Sequence, residues 1–129
     1  MTRRGKVAEM RTRRGQVAHA AGAAAEDAVA RHYIRQGSSI AARRWRSPGG
    51  EIDLVARDGA EVIFIEVKKA RTHTEAAERL DRRQMDRLCV AAAAYLGGET
   101  AGQLTPMRFD VALVDARGEI AILENAFAA

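Results

Sequence analysis

Apolar positions recur along the chain with two periods, and each change of period marks an element. From about Ala20 to Gln36 an alanine-rich run holds Ala25, Val29, Tyr33 and Ile34 at helical spacing, and Gly37 follows as a helix-ending residue. Ser39 to Arg46 reads as a strand with a charged outer face made by Arg43, Arg44 and Arg46. Ser47-Pro48-Gly49-Gly50 is a turn, Glu51 to Arg57 a second strand, Asp58-Gly59 a tight turn, and Val62 to Lys69 a third strand. Ile63, Phe64 and Ile65 are apolar on both faces, which marks a central strand covered from both sides. Residues 70–80 are polar and read as a loop. Asp81 is placed to cap a helix from Arg82 to Leu96, with Met85, Leu88, Cys89, Ala92 and Leu96 as its apolar stripe and Gly97-Gly98 at its end. Residues 97–106 read as a loop, Met107 to Asp115 as a fourth strand, and Glu119 to Leu123 as a short last one.

Strands joined by tight turns must run antiparallel. The long crossover through the second helix permits a parallel fourth strand beside the third. The expected fold class is therefore α/β, a mixed sheet with helices packed against it. A chain of 129 residues predicts one domain, spanning residues 19–125. Residues 1–18 stand apart: Arg3, Arg4, Lys6, Arg11, Arg13 and Arg14 meet one acid, Glu9, and Thr2–Ala8 is nearly repeated by Thr12–Ala18. That segment reads first as a disordered, solvated arm; the functional reading beside it is a phosphate-binding arm, and both hold if the arm orders on binding.

The net charge of +4 suits a polyanionic partner without requiring one. Cys89 is the only cysteine, so neither an internal disulfide nor a cysteine-based zinc site is available. The three histidines, His19, His32 and His73, show no ligand spacing and read as surface residues. The basic N-terminus has no apolar run behind it, and the run from Cys89 to Leu96 is too short to span a bilayer. The expectation is a soluble, cytoplasmic protein with no membrane partner.

The chemistry gathers in the second and third strands. Glu66 and Lys68 point to one face of their strand, and Asp53 falls across from Glu66 within one step of register. Isolated charges in a buried sheet are expensive and persist when paired or bound to metal. Two carboxylates of this kind suit Mg²⁺ or Mn²⁺, and Lys68 is placed to stabilise charge on a phosphoryl transition state. The competing reading is a buried Asp–Lys–Glu cluster with no activity.

Gly50-Glu51-Ile52-Asp53-Leu54-Val55-Ala56, Phe64-Ile65-Glu66-Val67-Lys68, Ala94-Tyr95-Leu96 and Arg108-Phe109-Asp110-Val111 together resemble the YraN family of small bacterial proteins. That family is similar to Holliday-junction resolvases within the PD-(D/E)xK nuclease superfamily. The resemblance runs from about Gly22 to Leu123. It implies a restriction-endonuclease-like fold, a mixed β-sheet flanked by helices with an αβββαβ core. It implies that Asp53 and Glu66 bind metal, that Val67 offers its carbonyl, that Lys68 is catalytic, and that Glu26 on the first helix completes the site. At Gln84 the family more often has lysine, and at Arg44 asparagine; glutamine at the first of these places occurs elsewhere in the superfamily, which makes Gln84 a candidate.

The function expected on these grounds is a metal-dependent endonuclease hydrolysing DNA, with branched or junction DNA as the substrate class. The alternative is a nucleic-acid-binding module of the same fold with a silent site. Arg43, Arg44, Arg46, Arg71 and Arg108 are the expected phosphate contacts, with Trp45 beside the first three. Asp110 would orient Arg108, although an ordinary salt bridge explains that pair as well. A symmetric homodimer would suit a junction, but no interface is marked in the sequence.

Overall fold

The computed structural model describes residues 22–127, so the basic arm at 1–18 and His19 lie outside the described residues. Helix α1 covers residues 22–35. Three strands follow, β1 (Ser39–Ser47), β2 (Gly50–Asp58) and β3 (Glu61–Lys69), then helices α2 (His73–Glu78) and α3 (Arg82–Leu96), then β4 (Met107–Val114) and β5 (Ile120–Leu123). The strands form one five-stranded sheet in chain order, with β3 and β4 parallel and every other neighbouring pair antiparallel. The expected mixed sheet flanked by helices is therefore present.

Alternation along the strands divides the core. On one face α1 lays Ala25, Val29, Ala30 and Tyr33 against Leu54, Ala56, Ile63 and Ile65. On the other, α3 lays Leu88, Ala91, Ala92 and Leu96 against Ile52, Val55, Phe64 and Phe109. Strand β3 is thus central and covered on both sides, as its unbroken apolar run predicts. Trp45 does not line a free surface. It packs edge-on against Tyr95, with ring centroids 5.3 Å apart, and joins the α3-side core.

The loop expected over residues 70–80 contains α2 instead. Thr72 caps it by accepting from the Glu75 amide at 3.1 Å, and Ala76 is fully buried beneath it. Thr72-x-x-Glu75 has the spacing of a capping box, a signal outweighed by the polar composition around it. Ile34 also departs from expectation. The buried stripe of α1 is carried by Ala25, Val29, Ala30 and Tyr33, and Ile34 is 51% exposed beyond it.

Gly50 fixes how closely α3 approaches β2. A Cβ at Gly50 would stand 2.2 Å from the backbone oxygen of Arg87, a separation that no side chain tolerates. Gly50→Ala is therefore expected to push α3 off the start of β2 and to cost about 1–3 kcal/mol, the usual range for overpacking. Urea unfolding of the two proteins checks this, and an unchanged midpoint would mean that the helix shifts freely.

Candidate active site at the fork of β2 and β3

The partnered residues of β2 and β3 run from Asp58 and Glu61 to Leu54 and Ile65, where the ladder stops. Beyond it β2 stays paired with β1 as far as Gly50 and Ser47. The amide of Val67 then donates to the Asp53 carboxylate at 2.9 Å, so a side chain takes over where the strand-to-strand ladder ends. Asp53 is held at the mouth of this fork. Glu66 stands beside it, and Lys68, two residues along the same side of β3, places its Nζ 3.4 Å from Glu66 Oε1. Both side chains of that ion pair are largely buried.

Burial sets the electrostatics. It raises the Asp53 carboxyl above its ordinary value, against the pull of the Val67 amide and the Lys68 charge. The Glu66 carboxyl is pushed up to about 8, by burial first and by the neighbouring Asp53 charge second, with Lys68 opposing. Two desolvated carboxylates side by side are thus short of positive charge near neutrality.

The pair opens into a cleft of about 130 Å³ lined by Glu51, Asp53, Glu66, Gln84 and Arg87. Gln84 reaches it from the first turn of α3, where Asp81 caps the helix by accepting the Gln84 amide at 2.8 Å. Sequence reading missed Arg87. Its signal was spacing: it follows Gln84 by three residues and so shares that face of α3. The donor set is hard oxygen, the kind Mg²⁺ and Mn²⁺ accept alongside retained water. Among the described residues no three His, Cys, Asp or Glu side chains gather as a metal-binding group. The third acid, Glu26, accepts from Arg44 Nε at 3.0 Å, while its charge still reaches Asp53 and helps raise that carboxyl. Asp53 and Glu66 are accordingly the acids that a cation would meet first.

The arginines divide by what holds them. Arg43 is bound to Asp27 of α1 at 3.0 Å and Arg44 to Glu26. Arg44 adopts φ +49, uncommon for a side chain of this kind, and the kink turns two successive residues of β1 toward α1. Arg46 stays at the cleft rim, 3.4 Å from Glu51, and Arg71 pairs with Glu75 on the exposed side of α2. Arg108 lies on the α1 face, away from the cleft, in a network with Asp110, Glu61 and Glu124. The salt-bridge reading of Arg108 and Asp110 is the one that their geometry supports. His73 is not a plain surface residue either, since its Nε2 lies 2.9 Å from the Glu119 carbonyl oxygen.

Among the described residues no helix is long and apolar enough to cross a membrane. Comparison with known proteins places the cleft inside a shared sequence. A UPF0102 protein of Cereibacter sphaeroides is 64% identical over 115 residues, covering 89% of this chain and 98% of that one. One from Ruegeria pomeroyi is 58% identical, covering 88% of this chain and 93% of its own. A UPF0102 protein of Dinoroseobacter shibae is 39% identical, covering 92% and 89%. The profile described as "Uncharacterised protein family UPF0102" matches residues 25–114, a span that holds Glu26, Asp53, Glu66, Lys68, Gln84 and Arg87. The chain belongs to the UPF0102 family, which is the YraN family that its motifs resemble.

Proposed function

We propose that the fork of β2 and β3 is the active site of a divalent-metal-dependent endonuclease that hydrolyses phosphodiester bonds in DNA. The observation that carries the reading is the convergence of Asp53, Glu66 and Lys68 at the open end of a buried hairpin, two carboxylates short of positive charge beside one ammonium. The five-stranded sheet with helices on both faces is compatible with the restriction-endonuclease-like core that the motifs imply.

Asp53 and Glu66 would hold Mg²⁺ or Mn²⁺, with Val67 and Glu26 as the further ligands implied by the resemblance. The ion would supply Lewis-acid charge and lower the pKa of a bound water. The Val67 amide fixes one oxygen of Asp53 and so orients the other. Lys68, held beside Glu66, offers its ammonium to a non-bridging phosphate oxygen as charge builds there. Gln84 can donate to the phosphate or hold the attacking water. In the reaction a water gives up one proton as its oxygen bonds to phosphorus, one ester P–O bond breaks, and the leaving alkoxide takes up a proton, so that no net proton is consumed at the ester.

The test is cleavage of single-stranded, duplex, flapped and four-way DNA with Mg²⁺ or Mn²⁺. Cutting is expected with either metal and none with a chelator. Lys68→Ala should slow it about a hundredfold, the usual loss for one charge-stabilising group, while binding persists. Undiminished cutting by Asp53→Ala, Glu66→Ala and Lys68→Ala would assign the activity to a contaminant. The Glu26–Arg44 pair favours a second reading, a DNA-binding module with a silent site, because it draws one acid out of the metal set. Tight binding with no cutting of any substrate would select it.

A further inference from the structure

Resting on the nuclease reading, we infer that Arg87, with Arg83 one helical turn before it, is the backbone-phosphate grip of the cleft. The residues lining the cleft include three acids, Glu51, Asp53 and Glu66, and one basic residue, Arg87. A phosphodiester entering it meets repulsion from the acids, so a cation on the facing wall is needed to hold it. The other cations nearby are engaged. Lys68, paired with Glu66, is assigned to the reacting phosphate, and Arg46 pairs with Glu51, Arg44 with Glu26 and Arg43 with Asp27. Among the described residues neither Arg87 nor Arg83 forms an ion pair, and both are exposed.

Position supports the same assignment. Gly50 contacts the backbone oxygen of Arg87 so closely that nothing larger fits. The start of the strand that carries Asp53 is thereby locked to the turn of α3 that carries Arg87. Arg87 thus stands on a fixed helix at the wall of the cleft rather than on a loop, and a guanidinium's planar fork can engage two phosphate oxygens at once. Arg83 and Arg87 are four residues apart, hence neighbours on one face of α3. They extend the positive track away from the cleft along the helix. The β1 arginines, by contrast, are turned toward α1. The substrate backbone therefore runs along the first half of α3, not along β1.

The test measures binding without turnover. The full chain is titrated onto fluorescently labelled duplex and four-way DNA with Ca²⁺ in place of Mg²⁺, from about 50 to about 200 mM salt, where each phosphate contact adds about 0.9 to the logarithmic slope. Arg87→Ala should lower the slope by about one and Arg83→Ala/Arg87→Ala by about two. Arg87→Lys, which keeps the charge, should restore the slope but not the full affinity. Arg31→Ala, which removes a charge paired with Asp27 on α1, should leave the slope unchanged. An unaltered slope in the double variant, or an equal loss in Arg31→Ala, overturns the grip, and so does a wild type that binds no DNA. Slope lost in the double variant with no cutting by the wild type keeps the grip and removes the nuclease reading. Metal-dependent cutting with the slope intact in the double variant does the reverse.

Discussion

Asp110→Ala is expected to destabilise the fold by about 3–5 kcal/mol, the range for removing one partner of a buried ion pair. Asp110 is fully buried on β4. Its carboxylate accepts from Tyr33 Oη at 2.7 Å, from Arg108 Nε at 3.0 Å and a second Arg108 nitrogen at 3.1 Å, and from the Asn125 amide at 3.0 Å. One side chain thereby ties α1, β4 and the segment after β5 together. Without it the Tyr33 hydroxyl loses its acceptor in the core, and Arg108 keeps only Glu61 at 3.3 Å and Glu124 at 3.8 Å.

The loss should be graded. Tyr33→Phe removes one hydrogen bond to a charged group and should cost about 1.5–3 kcal/mol. Asp110→Asn keeps the shape but not the charge, and should fall between Tyr33→Phe and Asp110→Ala. Urea unfolding of the three variants orders them. A cost below about 1 kcal/mol for Asp110→Ala would mean that water replaces the carboxylate, as at a surface pair. The network lies on the face away from the cleft, so metal binding by folded Asp110→Asn should match that of the wild type.

The hairpins were legible because their turns are written in Gly, Pro and Asp, and Asp58-Gly59 fixes the register that sets Asp53 opposite Glu66. The parallel placing of β4 followed from the length of the crossover. What lay beyond the sequence was tertiary. No strand pattern shows that the β2–β3 ladder ends at Leu54, so the use of Asp53 as acceptor for Val67 N–H was hidden. A run of arginines in β1 looks like a phosphate surface until α1 supplies Asp27 and Glu26 on its own side of the sheet. Charge counts cannot reveal that engagement, because the partners are 16 and 18 residues distant along the chain. Short α2 was missed because six residues bury too little to leave a periodic stripe.

Without metal, the protein should lose stability as pH rises from about 5 to about 8, by about 3 kcal/mol. The sign follows from Glu66, whose carboxyl is raised from 4.5 to about 8 in the folded state. Between those values the folded protein holds a proton that the unfolded chain has released, so raising the pH favours unfolding. At about 1.36 kcal/mol per pH unit the full interval allows somewhat more, and water in the open cleft reduces it. Asp53, also raised by burial, acts in the same direction. Asp27 and Asp115 are both lowered, so their contributions are lost as pH falls into the acid range, outside this window. Glu66→Gln should flatten the profile and be the more stable protein at pH 8. Mn²⁺ or Mg²⁺ should largely cancel the slope, since metal binds the deprotonated pair and stabilises by about 2.7 kcal/mol at a hundred times its Kd. The measurement is the urea midpoint from pH 5 to 8.5, in chelator and then in metal, for wild type and Glu66→Gln. In chelator, a flat wild-type profile, or a slope undiminished in Glu66→Gln, would remove Glu66 as the titrating group. A metal effect equal in both proteins would place the ion elsewhere than at the fork of β2 and β3.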